Sequence, residues 1–289
     1  MPLPNAGEPA SEAQPRVIVV RAQDGASAEI HRNGAHVTSW CPAPGADERL
    51  FLSAISSVND GASIRGGIPV IFPQFSLEGP LPRHGFARNS IWTHDGIWHQ
   101  DDGAIVSFSL TDSPVTREIW PCSFHATLTA RIGGQQLVTT LRIENTGREA
   151  FHFTAALHTY LRVDDVRQTD IIGLLGSRYR VSSAPRVLVS DSEAVLRIRG
   201  EVDRVYVDAS DRITVREPHR QLVVATTNFP DVVIWNPGAE KAAALTDMEA
   251  GGERHMLCVE AAVVQNPVTL EAGQYWSGSQ TLIAQPGHE

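Results

Sequence analysis

The sequence predicts an all-β fold, a large antiparallel β-sandwich, on three observations. Short β-prone runs recur along the whole chain and are punctuated by Gly, Pro, Asn and Asp. Strands do not alternate with amphipathic helices, which argues against a doubly wound or barrel enzyme. The composition, 42% hydrophobic and 20% charged over 289 residues, is that of a globular chain able to bury a large core.

Taken in order, residues 1–15 (MPLPNAGEPASEAQP) are polar and acidic and lack an apolar h-region. They read as a flexible N-terminal tail and not as a signal peptide. Residues 16–289 carry no linker-like stretch and read as a single sandwich domain. Strand-like runs fall at 16–21 (RVIVVR), 105–110 (IVSFSL), 137–143 (LVTTLRI), 221–226 (QLVVAT) and 232–235 (VVIW), and again at 256–264 and 275–283. Only 240–248 has helical character, and it is weak. Residues 53–88 lack simple alternation. They contain RGGIPVIFPQF (65–75) and LPRHGFAR (81–88), where Pro and Gly favour turns. Irregular backbone on a rigid scaffold is where functional residues tend to sit.

Charge and motif content narrow the function. A net charge of -9 argues against nucleic acid or an anionic membrane as partner. No run of 18 apolar residues is present to cross a bilayer. Three cysteines without a CxxC pair fit a reducing, cytoplasmic setting. Of 24 basic residues only Lys241 is a lysine, so any anion site must be built from arginine. There is no phosphate loop, no nucleophile elbow and no metal-ligand spacing, so neither cofactor nor metal is expected.

Two segments carry acid–base candidates. In 151–163 (FHFTAALHTYLRV), a two-residue period puts Phe151, Phe153, Ala155, Leu157, Thr159, Leu161 and Val163 on a core face. The opposite face carries His158, with the small Ala156 beside it. A hydrogen-bonded structural histidine is the alternative reading. In 256–264 (MLCVEAAVV), Glu260 is the only charge in an apolar strand, flanked on its face by the small Cys258 and Ala262. An unpaired buried carboxylate costs several kcal/mol, so Glu260 needs a salt-bridge partner, a solvated cavity or a chemical role. Arg65, Arg83 and Arg88 fall within the irregular segment, where guanidinium forks suit a small anion, surface ion pairs being the alternative. Phe75 and Trp235 read first as core residues, stacking on an apolar ligand face being the alternative.

The motifs RGGIPVIFPQF, LPRHGFARNSIW, FTAALHTYLRV, VDRVYVD, VVIWNP and LCVEAAVV, in this order, resemble the hexose-6-phosphate mutarotases (glucose-6-phosphate 1-epimerases) of the aldose 1-epimerase superfamily. The resemblance spans residues 28 to 282. It implies a galactose mutarotase-like supersandwich acting, as a monomer, on a small-molecule sugar phosphate. By resemblance His158 is the general acid and Glu260 the general base. Arg65 and Arg88 hold the substrate and its phosphate, His84 contacts the sugar, and Asp203 and Gln74 are polar contacts. The residue before HGFAR is often Gln in the family and here is Arg83, which adds positive charge for a phosphate. An epimerase of unphosphorylated hexoses and a non-catalytic sugar-phosphate sensor are the alternatives on the same fold.

Overall fold

The computed structural model describes residues 15–181 and 187–287. All but the last residue of the expected tail lies outside them. The strand runs read from the sequence are all present, as Val17–Arg21, Gly103–Thr111, Gln136–Asn145, Arg220–Thr227, Asp231–Asn236, Met256–Leu270 and Tyr275–Pro286. Among the described residues the strands form three sheets. The eight-stranded sheet runs Val189–Ser190, Arg178–Val181, Val202–Val207, Asp231–Asn236, Met256–Leu270, Phe151–Leu157 and Val70–Ile71, with Tyr160–Arg162 also pairing to Met256–Leu270. The nine-stranded sheet is centred on Tyr275–Pro286, Gln136–Asn145 and Phe124–Gly133, paired antiparallel. A three-stranded sheet holds Val17–Arg21, Ser27–His31 and His36–Cys41. No helix among the described residues is long and apolar enough to cross a membrane.

Two helices depart from the sequence reading. The expected 240–248 helix spans Gly238–Ala243, and beyond it the chain turns so that Asp247 reaches Arg65. A second helix, Pro114–Ile119, was not expected. Its signal is Ser113 as N-cap, closing a capping box with Thr116, and Pro114 in the first turn.

The two-residue period places the core. Leu257, Val259, Ala261 and Val263 of one strand join Leu141, Ile143, Leu222, Val224 and Leu282 of the nine-stranded sheet in one apolar cluster. Burying each such side chain contributes about 1.5–3 kcal/mol. Phe153, Leu157, Leu161 and Val163 enter the same cluster. The alternate residues, among them Ala156, Cys258, Glu260 and Ala262, must then occupy the opposite face of the eight-stranded sheet. Phe72 ties the irregular segment to this scaffold through edge contacts with Phe86, Trp120, Phe124 and Phe153 at 5.3–6.2 Å.

Thr159, the one polar residue on its core face, is met by Gln280 from the opposite sheet. The Gln280 amide donates to the Val259 carbonyl at 3.0 Å, and its side-chain oxygen accepts from the Thr159 hydroxyl. One buried glutamine thus joins both sheets beside His158. Gln280→Leu removes both bonds and is expected to cost about 1–3 kcal/mol, read as a lowered urea midpoint with an unchanged slope.

Candidate active site

Strand register brings the two acid–base candidates together. Leu157 pairs with Ala261 and Tyr160 with Cys258. The count between these pairs sets His158 opposite Glu260, and the Val259 amide donates to the Thr159 carbonyl in between at 3.1 Å. His158 Nδ1 lies 3.1 Å from Glu260 Oε1. The contact is not aligned as a hydrogen bond, and both His158 Nδ1 and Glu260 Oε2 are buried with no protein partner. Burial, reinforced by the Asp203 carboxylate, pushes the Glu260 carboxyl well above its ordinary range. Burial pushes the His158 imidazole well down, and the charges of His84, Arg88 and Arg65 act in the same direction. Burial thus favours a carboxylic acid beside a neutral imidazole. Moving one proton between them gives a carboxylate and an imidazolium, so the pair holds one transferable proton. Tyr160 stacks on the His158 ring at 4.8 Å and 10°, and Trp235 meets it edge-on at 6.0 Å, which fixes the ring plane.

Both residues line a cavity of about 250 Å³. The irregular segment covers it. Gly67, at φ +61, lies so close to the neighbouring strand that a Cβ would fall 2.3 Å from the Val37 carbonyl oxygen. The buried His36 holds the preceding peptide, its Nε2 donating to the Gly66 carbonyl at 2.7 Å, and so sets where Arg65 departs. Gly85, at φ +68, is likewise backed onto the Phe72 carbonyl, where a Cβ would fall at 2.1 Å. This places His84 and Arg88 on either side of the turn.

Arg65, Arg83, His84, Arg88, Asp203, His158 and Glu260 all line the cavity. The three arginines differ in state. The Arg65 fork is engaged by Asp247, at 3.1 and 3.0 Å, and by the Tyr160 hydroxyl at 3.0 Å. Burial opposes its charge, but Tyr160 and Asp247 more than offset that and raise its pKa. Among the described residues Arg88 bonds the Arg83 carbonyl alone, at 3.3 Å, and its Nε is buried without a partner. Burial accordingly lowers its pKa. Arg83 is exposed at the rim. His84 accepts from the Ser76 amide through Nδ1 at 3.3 Å, which leaves the ring proton on Nε2. Its pKa is lowered to about 3 by burial and by Arg88, Arg83 and Arg65.

Gln74 is not brought to the cavity. Its carboxamide holds its own loop, donating to the Ser76 and Leu81 carbonyls and accepting from the Leu81 amide. Phe75 and Trp235, expected in the core, line the cavity as well as packing beside it. The sequence reading missed Tyr160, Asp247 and Lys241, which also line it. The tyrosine of ALHTY, two residues after His158 on the same face, was the available signal for one of them. Asp247 carried none, because its role depends on meeting Arg65 across 182 residues.

A ring nitrogen of His158, the Cys258 thiol and a Glu260 oxygen lie within 4.8 Å of one another, a donor set that could hold a cation. A roomier hollow of about 560 Å³ surrounds Arg220, but Glu217, Asp164 and Asp47 already meet that arginine. Of the two, only the cavity at His158 joins a desolvated proton-carrying pair to guanidinium groups that meet no acid among the described residues.

Comparison with known proteins identifies the family and the fold. Residues 16–282 match the family model for aldose 1-epimerase. The chain is 35% identical to a Cenchrus ciliaris protein named "Putative glucose-6-phosphate 1-epimerase", over 93% of this chain and 84% of that one. An Escherichia coli K12 protein of the same name is 34% identical over 79% of this chain and 77% of its own. Among solved structures, a Salmonella typhimurium protein described as a "putative mutarotase" superposes with a TM-score of 0.85 at 27% identity, covering 93% of this chain and 90% of that one. The galactose 1-epimerase of Lactobacillus acidophilus NCFM, at 13% identity and a TM-score of 0.73, shares the fold.

The buried histidines make acid stability testable. His36 and His84 have pKa values lowered to about 3 from the ordinary 6.5, chiefly by burial. The unfolded chain therefore binds more protons between these values, so their contribution is intact above pH 6.5 and is lost as pH falls toward 3. Each is expected to remove roughly 1.4 kcal/mol per pH unit across that window. Urea unfolding of His84→Asn should show a shallower loss below pH 6 than the wild-type protein. An identical slope in the two would contradict the burial of a neutral His84.

Proposed function

The chain belongs to the aldose 1-epimerase family, and on that premise we propose that it interconverts the α and β anomers of a hexose 6-phosphate. The observation that carries this reading is the desolvated His158–Glu260 pair, 3.1 Å apart, in a cavity that also presents Arg88 and Arg83, which meet no acid among the described residues. In the competent state the proton sits on His158. Glu260 takes the proton of the C1 hydroxyl while the imidazolium gives its proton to the ring oxygen. The C1–O5 bond breaks, C1 becomes an aldehyde carbon, and rotation about C1–C2 exposes its other face. Closure reverses the proton movements and returns the pair to its starting state. Holding both carriers against the sugar at once lowers the ring-opening barrier.

The phosphate belongs with Arg88 and Arg83. Arg65 is tied to Asp247 and Tyr160 and serves best as a fixed positive wall with little fork left to offer. Neutral His84, with its proton on Nε2, is suited to donate a hydrogen bond to a sugar oxygen, and Asp203 to accept one. Remote phosphate binding of this kind positions the sugar and can be used in the transition state. It also disfavours an unphosphorylated hexose, which leaves the half-buried Arg88, with its desolvated Nε, unmatched.

Saturation-transfer NMR on glucose 6-phosphate beside glucose tests the reading. Faster exchange on the phosphate is expected, with Glu260→Gln losing about 10²–10⁴-fold in rate. Arg88→Ala should raise KM by about 10- to 100-fold while kcat falls less, as loss of a charged hydrogen bond predicts. Equal exchange on both sugars would favour the epimerase of free hexoses, and binding without exchange a sensor. The pH profile is a separate check. Because burial lowers His158 and raises Glu260, the one-proton state persists through the ordinary histidine range. The kcat value is expected to stay level across pH 6.5, and a histidine-like inflection there would contradict the shared-proton assignment.

A further inference from the structure

Cys258 has no part in the proton transfer, yet its thiol stands with the acid–base pair. It precedes Glu260 by two residues on the same face of one strand, and His158 lies opposite Glu260 on the adjoining segment. All three side chains are buried, Cys258 completely. Glu260 Oε2 and His158 Nδ1 have no hydrogen-bond partner in the protein, and each such desolvated atom costs about 1–3 kcal/mol. Two unsatisfied polar atoms and a thiol converge where one ligand atom from each residue falls within 4.8 Å of the others.

One sulfur, one nitrogen and one oxygen make the donor set of zinc, with bonds of about 2.0–2.3 Å. Such donors stand roughly 3.3–3.8 Å apart around a tetrahedral ion, so a side-chain adjustment of about 1 Å closes the site. Coordination displaces two protons to solvent, one from the Cys258 thiol and one from the His158–Glu260 pair; the resulting thiolate and carboxylate then cancel the charge of the dication while the imidazole stays neutral. His158 and Glu260 line the cavity and Cys258 lies behind them, so an ion would enter past the first two. A hard cation such as magnesium prefers an all-oxygen octahedron and is not matched.

We propose that His158, Cys258 and Glu260 form an inhibitory site for a borderline-soft divalent cation of the zinc type. The inhibition rests on the function proposed above: once coordinated, His158 and Glu260 can no longer exchange protons with a sugar. The binding does not rest on it.

The test uses the full chain with Cys41→Ser and Cys122→Ser, which leaves Cys258 as the sole thiol. Titration with cobalt(II) is expected to give a near-ultraviolet thiolate-to-metal absorption band, and adding Cys258→Ser should abolish it. In the anomer-exchange assay, Cys258→Ser should keep metal-free turnover within about twofold and raise the half-inhibiting zinc concentration by about tenfold or more, with magnesium inert throughout. The absence of a band while Cys258 is the sole thiol would overturn the proposal. So would a Cys258→Ser enzyme as zinc-sensitive as its parent. If that variant fails to fold, zinc-edge X-ray absorption of the parent decides, one sulfur with nitrogen and oxygen ligands being expected and a sulfur-free shell being fatal. The cobalt band is read without turnover, so failure of the epimerase reading and failure of the cation site are separable.

Discussion

A single desolvated carboxyl group, Glu260, sets the terms for the site. It stands in the middle of an apolar strand whose other face is locked into the core through Val259 and Ala261. The strand cannot turn to release the carboxyl to water without exposing that core. The free energy of burying the acid has to be met locally. A proton retained on the pair, the adjacent His158 and the field of Arg88 are what meet it. The same condition makes the proton easy to exchange, because neither group is held by a good hydrogen bond of its own. Packing on one side of the strand thus dictates acidity on the other.

The arginines divide their work by what already binds them. Arg65 is a tether as much as a charge. Its fork ties the irregular segment to Asp247 and draws the turn after the Gly238–Ala243 helix to the cavity wall. Arg88 and Arg83 meet no acid among the described residues and keep most of their donors for a ligand. Sequence alone made the three look alike. Their difference comes from partners supplied by distant residues.

What could be read beforehand follows the range of the interaction. A two-residue period is local, so the faces of 151–163 and 256–264 were legible, including Thr159 as a polar residue turned toward the core. Register between strands a hundred residues apart is not local. The residues of the candidate pair could be named, but not the fact that they stand directly opposite. Motif resemblance named Arg65, His84, Arg88 and Asp203, and the clustering of arginines in the irregular segment named Arg83; all five line the cavity, while the Gln74 carboxamide is engaged by its own loop. Asp247 and Gln280 lay beyond reach for a shared reason: each depends on a contact spanning more than a hundred positions.

The scarcity of lysine has a practical side. Lys241 lies at the edge of the cavity, its ammonium 2.7 Å from Glu201, and both side chains are nearly half exposed. It is the only lysine in the sequence. Apart from a chain terminus, amine-directed chemistry therefore has one address on this molecule, and that address is the sugar entrance. Coupling to an amine-reactive resin or dye would plug the opening in every copy alike. The same feature makes a small amine-linked fluorophore a uniform reporter of occupancy.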